Sequence, residues 1–168
     1  MTKKRSLKLA REFFRASDLL KSEHNKDFSR LIAESYIITD WIRKDYPTYC
    51  NYFYSKCVPG IFDGEREVIS CYVDGKIAAT AFLKKNITER KICTFYVEPD
   101  YRKQGIGTAL IEKCFEWLGT TKPLITIADY KLDQFTGIIN KYGWTENQVL
   151  KSGYYNNHSR EHVFNGII

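Results

Sequence analysis

A chain of 168 residues fits a single domain over residues 1–168, and a hydrophobic share of 43% is too high for a disordered one. No uninterrupted apolar run approaches the roughly 20 residues that span a bilayer, and Met1-Thr2-Lys3-Lys4-Arg5 is not followed by an apolar signal segment, so a cytoplasmic protein without membrane association is expected. The 26 Lys and Arg against 20 Asp and Glu leave a formal charge of +6, which favours an acidic ligand, a polyphosphate coenzyme or a nucleic acid. Lys3, Lys4, Arg5, Lys8 and Arg11 lack the aromatic interleaving of a single-strand binder and read as a solvated N-terminal segment. Cysteines 50, 57, 71, 93 and 114 are odd in number and contain no CxxC pair, so reduced, mostly buried thiols and no metal site are expected.

In chain order, residues 6 to 14 read about equally as strand or helix. From Asp27, the apolar positions Phe28, Leu31, Ile32, Tyr36, Ile38 and Ile42 recur at helical spacing, and this helix must stop before Pro47. A second helix is expected from Thr48 to Cys57, ended by Pro59-Gly60. Two β-rich runs, Val68 to Val73 and Lys76 to Leu83, flank Asp74-Gly75, the signature of a tight hairpin whose turn needs positive φ at both positions. A third strand, Lys91 to Val97, ends at Glu98-Pro99. After it come a glycine loop, an amphipathic helix with Ile106, Leu110, Cys114 and Trp117 on one face, and Gly119 as its cap. A fourth strand, Leu124 to Ala128, a helix from Asp133 to Lys141, and closing strands at Gln148 to Tyr155 and Glu161 to Phe164 complete the chain. This order predicts an α+β fold, a mixed, mostly antiparallel central sheet with helices on both faces.

The chemistry points to Arg102-Lys103-Gln104-Gly105-Ile106-Gly107-Thr108, which lies between a strand and a helix. Glycine lets backbone approach a ligand closely. The first helical turn offers unsatisfied N–H groups and partial positive charge, and Arg102 and Lys103 add formal charge. A dinucleotide fingerprint requires a small residue where Leu110 stands, and a P-loop requires Gly-Lys-Ser/Thr; neither is present.

The segment resembles the signature Gln/Arg-x-x-Gly-x-Gly/Ala of the GNAT superfamily of N-acetyltransferases, and the match with its flanking strand and helix covers roughly residues 92 to 118. The resemblance implies transfer of an acetyl group from acetyl-CoA to a primary amine, a small molecule or a peptide, with no metal. It further implies that the N–H groups from Lys103 to Thr108 bind the pyrophosphate, Thr108 adding its hydroxyl. The Phe95 N–H would face the thioester carbonyl, and Val97 would pair with pantetheine amides. One departure is plain: the tyrosine that many members carry four residues before a Gly-aromatic pair is Ile139 here. Tyr142 and Tyr130 are the substitute acids, and Glu98 is the nearest candidate base. Ile139 also motivates an alternative, a non-catalytic acyl-CoA-binding module. The basic charge motivates another, a toxin acetylating aminoacyl-tRNA, although a nucleic-acid partner is not favoured. A homodimer through the closing strands is compatible with the sequence.

Overall fold

In the computed structural model, which describes residues 10–22 and 25–168, the chain opens on strand β1 (Arg11–Arg15) and helix α1 (Ala16–Lys21). The strand reading of the N-terminal segment holds where the segment is described; residues 6–9, with the lysines and arginine before them, lie outside the described residues. Helix α1 is not foreshadowed by any periodicity. It is nucleated from outside: the buried Glu67 carboxylate accepts the Ser17 N–H at 3.1 Å and the Ser17 hydroxyl, satisfying a first-turn donor that has no partner within the helix.

Helix α2 (Asn25–Thr39) follows the predicted apolar spacing and passes into a 3₁₀ turn, Asp40–Lys44, before Pro47. The expected stop at Pro59-Gly60 is incorrect. The chain stays helical through α3 (Tyr49–Tyr52), a π turn Phe53–Cys57 and α4 (Val58–Phe62). Pro59 falls in the first turn of α4, where a missing N–H is tolerated, and the wider π turn before it makes room for the ring. The helical segment gives way at Gly64, whose φ of 75° breaks the helical path.

The sheet is built from β1, β2 (Arg66–Val73), β3 (Lys76–Lys85), β4 (Arg90–Val97), β5 (Leu124–Ala128), β6 (Glu146–Leu150) and β7 (Glu161–Phe164), in the order β1-β2-β3-β4-β5-β7-β6. Only β4 and β5 run parallel, so the predicted mixed, mostly antiparallel sheet is observed. Asp74 and Gly75 adopt φ of 49° and 76° in the β2–β3 turn, as the hairpin demands. The closing pair is shorter than expected, since β6 ends at Leu150 and the chain then turns.

Helices α5 (Ile106–Leu118) and α6 (Leu132–Tyr142) cover one face, burying Ile106, Leu110, Ile111, Cys114 and Phe115 against β2, β3 and β4. The opposite face receives α2 to α4 through Leu31, Phe53, Cys57 and Ile61. Trp117, expected on the buried stripe of α5, lies at its margin with the Lys85 ammonium 4.4 Å from its ring centroid. Gly119 caps α5 at φ 71°, its N–H reaching Phe115 O at 2.8 Å. Cys57, Cys71 and Cys114 are buried, Cys93 is half-buried and Cys50 is exposed. Among the described residues no helix is long and apolar enough to cross a membrane, and no cluster of His, Cys, Asp and Glu is arranged to hold a metal ion.

A charged clamp ties β5, β6 and β7 together. His162 presents Nε2 to Asp129 Oδ1 at 2.5 Å and Nδ1 to Glu146 Oε2 at 2.6 Å, so both ring nitrogens donate only in the imidazolium form. Burial alone pulls the His162 pKa down, but the bonds to Asp129 and Glu146 prevail and raise it. Those from His162 and then Arg160 hold Asp129 at about 2. A raised histidine pKa contributes stability that is complete below the ordinary value and lost as pH rises through the folded one. Urea titrations between pH 5 and pH 9, values bracketing the ordinary histidine range of about 6.5, should show wild type losing more stability on the alkaline side than His162→Gln; parallel pH profiles would contradict the clamp.

Candidate active site

The site begins with one extra residue. In the β3–β4 ladder, Phe82 faces Thr94 and Leu83 faces Ile92, so Cys93 is the unpaired residue of a β-bulge. The parallel contact between β4 and β5 holds only at Lys91–Leu124 and Ile92–Ile125 and ceases where the bulge begins. Beyond it the strands part, and a cleft of about 380 Å³ opens between them. Thr94, Phe95 and Tyr96 of β4 line one side and Thr126, Ile127 and Ala128 of β5 the other. Phe95 meets Phe135 of α6 edge-on at 5.9 Å, and Tyr96 meets Trp41 at 5.3 Å.

The glycine loop enters α5 at the end of β4. Lys103 and Gly105 take φ of 58° and 79°, two left-handed residues separated by one, a backbone pattern suited to gathering N–H groups around an anion. Among the described residues no acceptor is found for the N–H groups from Lys103 to Thr108; the first bond is Ala109 N–H to Gly105 O at 3.1 Å. Gln104 braces the loop by donating to Asp100 O at 3.0 Å, and its own carbonyl accepts from Arg11 at 2.5 Å. The Ile106 side chain is buried, so only its backbone faces the loop, while Thr108 is exposed. Arg102 turns back instead of toward the loop, donating from Nε to Val97 O at 2.9 Å with its guanidinium 5.8 Å from the Tyr96 ring centroid. The Val97 side chain packs beside Gly107, and its carbonyl is occupied by that arginine.

None of the three proton-transfer candidates lines the cleft. Glu98 directly follows β4, its pKa raised by burial against the opposing Arg102. Tyr130 is exposed and donates to Asp45; burial and then that bond raise its pKa. Tyr142 donates to Glu112 at 3.1 Å and stacks edge-on with Phe115 at 4.8 Å, facing α5. Ile139 packs on the same core.

The polar groups that do line the cleft come from other parts of the chain. Glu161, the first residue of β7, is 1% exposed, and its Oε1 accepts the Tyr46 hydroxyl at 2.5 Å while Oε2 has no hydrogen-bond partner among the described residues. Burial raises its pKa, and Tyr46 and Lys131 partly offset that. Lys131 Nζ lies 4.0 Å from the Trp41 ring centroid, and burial lowers its pKa. Arg66 borders the far end beside Tyr52. Nothing in the sequence sets Tyr46 or Trp41 apart from the chain's other aromatic residues. No local motif marks Glu161, which lies 115 residues from its partner.

A model of the acetyltransferase (GNAT) family matches residues 20–126. No curated protein sequence matches. Among solved structures the chain is similar to a GNAT-family protein from Desulfovibrio desulfuricans, with a TM-score of 0.62, 12% identity and coverage of 92% of this chain and 97% of that one. It is also similar to the IAA acetyltransferase from Bacillus cereus, with a TM-score of 0.56, 11% identity and coverage of 93% and 97%. A GNAT family acetyltransferase from Elizabethkingia anophelis, solved with acetyl-CoA bound, matches with a TM-score of 0.50 and 16% identity over 65% of this chain and 80% of that one. At these identities the likeness is one of fold.

The left-handed backbone at Gly105 makes its own prediction. Its Cβ position is open, with Arg11 Nη1 nearest at 3.7 Å, so alanine there is strained by φ alone. Gly105→Ala should cost about 1 kcal/mol in chemical denaturation. An unchanged midpoint would mean that the loop does not hold this conformation.

Proposed function

Because the chain belongs to the acetyltransferase (GNAT) family, we propose that it moves an acetyl group from acetyl-CoA to a primary amine, by direct attack within a complex of protein and both substrates. The acceptor is a small molecule or a peptide. The observation that carries this reading is the pairing of a strand-splayed cleft with a loop of unused N–H groups that follows β4, the strand lining that cleft. Lys103 to Thr108 would hold the pyrophosphate, with Lys103 and Thr108 exposed beside it. The β4 edge from Thr94 to Val97, released from β5, would take the pantetheine arm as an added strand, with Phe95 N–H aimed at the thioester oxygen. Arg102 must release Val97 O for that pairing and is then free for phosphate. Acetyl-CoA, when bound, supplies an activated acyl group with a thiolate leaving group.

The chain's own residues then handle protons. An amine arrives as its ammonium and attacks only when neutral, so a base is required. Glu161 is the buried acid with an unused oxygen in the cleft, and we assign it this role in place of Glu98. The ammonium of Lys131, destabilised by burial, is the proton source we assign to the departing thiolate, with Ile139 unable to serve. A buried acid and a buried cation facing one cleft favour an enzyme over a non-catalytic binding module.

Isothermal titration should detect acetyl-CoA binding to wild type and none to Gly105→Glu, whose carboxylate would lie where the pyrophosphate is expected. Binding undisturbed by that change removes the loop assignment. Glu161→Gln should lower kcat/KM for the amine about 100-fold or more with acetyl-CoA affinity retained. Because burial raises the Glu161 pKa, wild-type activity should fall with decreasing pH through a value above the ordinary 4.5. A profile flat down to that ordinary value excludes Glu161 as the base.

A further inference from the structure

Arg66, the first residue of β2, has no role in acetyl transfer as derived above, yet its position is built. Its stem fills the space that a Cβ on Gly60 would occupy, 2.7 Å from Arg66 Cδ, so the glycine in α4 makes room for it. The guanidinium lies 5.4 Å from the Tyr52 ring centroid and donates to the Tyr52 hydroxyl at 2.9 Å. Its hydrogen-bond partners among the described residues are Tyr52 and, at 4.0 Å, the Cys93 sulfur, with no carboxylate among them. A half-buried guanidinium with donors to spare is a binding group for a planar anion. Lys84 is paired with Glu89 at 2.6 Å, which leaves Arg66 and Lys91 to set the sign of this end of the cleft.

The opposite end carries the acid Glu161, its charge partly offset by Lys131. Strand register gives the separation. Arg66 lies level with Lys84 and hence with Lys91 and Leu124, whereas Glu161 pairs with Ala128, four residues further along β5. At about 3.3 Å per residue this is on the order of 13 Å along the strands, and β2 and β7 stand four strand spacings of about 4.8 Å apart across the sheet, so the two backbones are on the order of 23 Å apart and the two long side chains reach into the cleft between them. The wall between them is aromatic, with Tyr52, Trp41 and Tyr96.

We infer that the acceptor is a zwitterionic amine whose carboxylate, held by Arg66, is separated from the nitrogen at Glu161 by an extended, largely apolar body. This deepens the proposed acetyl transfer and rests on it for the nitrogen's position. An ω-amino acid and a short peptide share that chemistry, and an α-amino acid such as glycine is too short to span the two groups.

The test is calorimetric titration into the protein saturated with CoA, which requires no turnover. The probes are ε-aminocaproate against pentylamine, and phenylalanylglycine against its C-terminal amide. The carboxylated member of at least one pair should bind about tenfold tighter than its counterpart without the carboxylate, as a charge-assisted contact warrants. The pair that shows the gap identifies the source. The gap should close to within about twofold in Arg66→Gln and narrow in Gly60→Ala, which displaces the arginine without removing it. Glycine should gain nothing from Arg66. No gap in either pair, or a gap that survives both variants, overturns the proposal. If CoA itself does not bind, the proposed function fails separately, and the same titrations without CoA still decide whether Arg66 holds a carboxylate.

Discussion

The bulge at Cys93 imposes a cost that the surrounding structure has to bear. From Thr94 onward the outer edge of β4 and the facing edge of β5 forgo ladder hydrogen bonds, each worth about 1 kcal/mol net. An open seam in the middle of a sheet would close unless both banks were held. β5 is held by four antiparallel pairs to β7, from Ile125–Phe164 to Ala128–Glu161. β4 is held by its ladder to β3 on the other side of the bulge. Aromatic wedges fill the gap from both faces, Phe135 against Phe95 and Trp41 against Tyr96. Without the bulge there is no cleft, and without β7 locked beside β5 there is no acid in it.

The open seam also lets the two faces of the sheet hold different chemistry. On the face covered by α5 and α6 the exposed donors are backbone N–H groups at the head of α5, suited to an anion of several charges. On the face covered by α2 to α4 the groups are side chains in an aromatic wall, with Tyr46 donating to Glu161 and Tyr52 to neither acid nor base but accepting from Arg66. A reaction across the sheet would therefore join a phosphate-rich substrate from one face with an amine from the other. Lys131 stands at the crossing, its ammonium on the Trp41 ring and its charge opposed by burial and supported by Asp45 and Glu161.

Much of this frame was legible in the sequence where the cause is local. Asp74-Gly75 and Gly119 are read correctly because a positive φ is a property of the residues themselves. The glycine loop is legible for the same reason, together with the amphipathic face of α5. Pro59-Gly60 misleads because the π turn that accommodates it is set by packing of Phe53 and Cys57 into the core, which no spacing rule encodes. Cys93 looks like any strand residue, since a bulge is defined by its partner's register. Glu161, Tyr46 and Arg66 escape notice because the cleft is assembled from β2, the 3₁₀–α3 connection and β7. Tyr130 and Tyr142 are attractive by position in sequence, but each is committed elsewhere, to Asp45 and to Glu112.

Strand alternation in β7 explains how the cleft and the clamp coexist. Successive side chains of a strand leave on opposite sides, so Glu161 goes to Tyr46 in the cleft while His162 goes to Asp129 and Glu146. Asp129 is the first residue of the 3₁₀ turn Asp129–Lys131, and Arg160 grips it further through its backbone N–H and guanidinium. Fixing Asp129 fixes the turn, and the turn sets Lys131 over Trp41. Loss of the His162 proton turns one of its two bonds, to Asp129 or to Glu146, into a lone pair facing a carboxylate, which weakens the clamp around the turn under Lys131 but leaves the Tyr46–Glu161 bond intact. Protonation of Glu161 at low pH does the reverse, removing the cleft acid while the imidazolium keeps the turn in place. In the proposed reaction the two adjacent residues would bound the working range from opposite sides, one through chemistry in the cleft and the other through the shape of its wall.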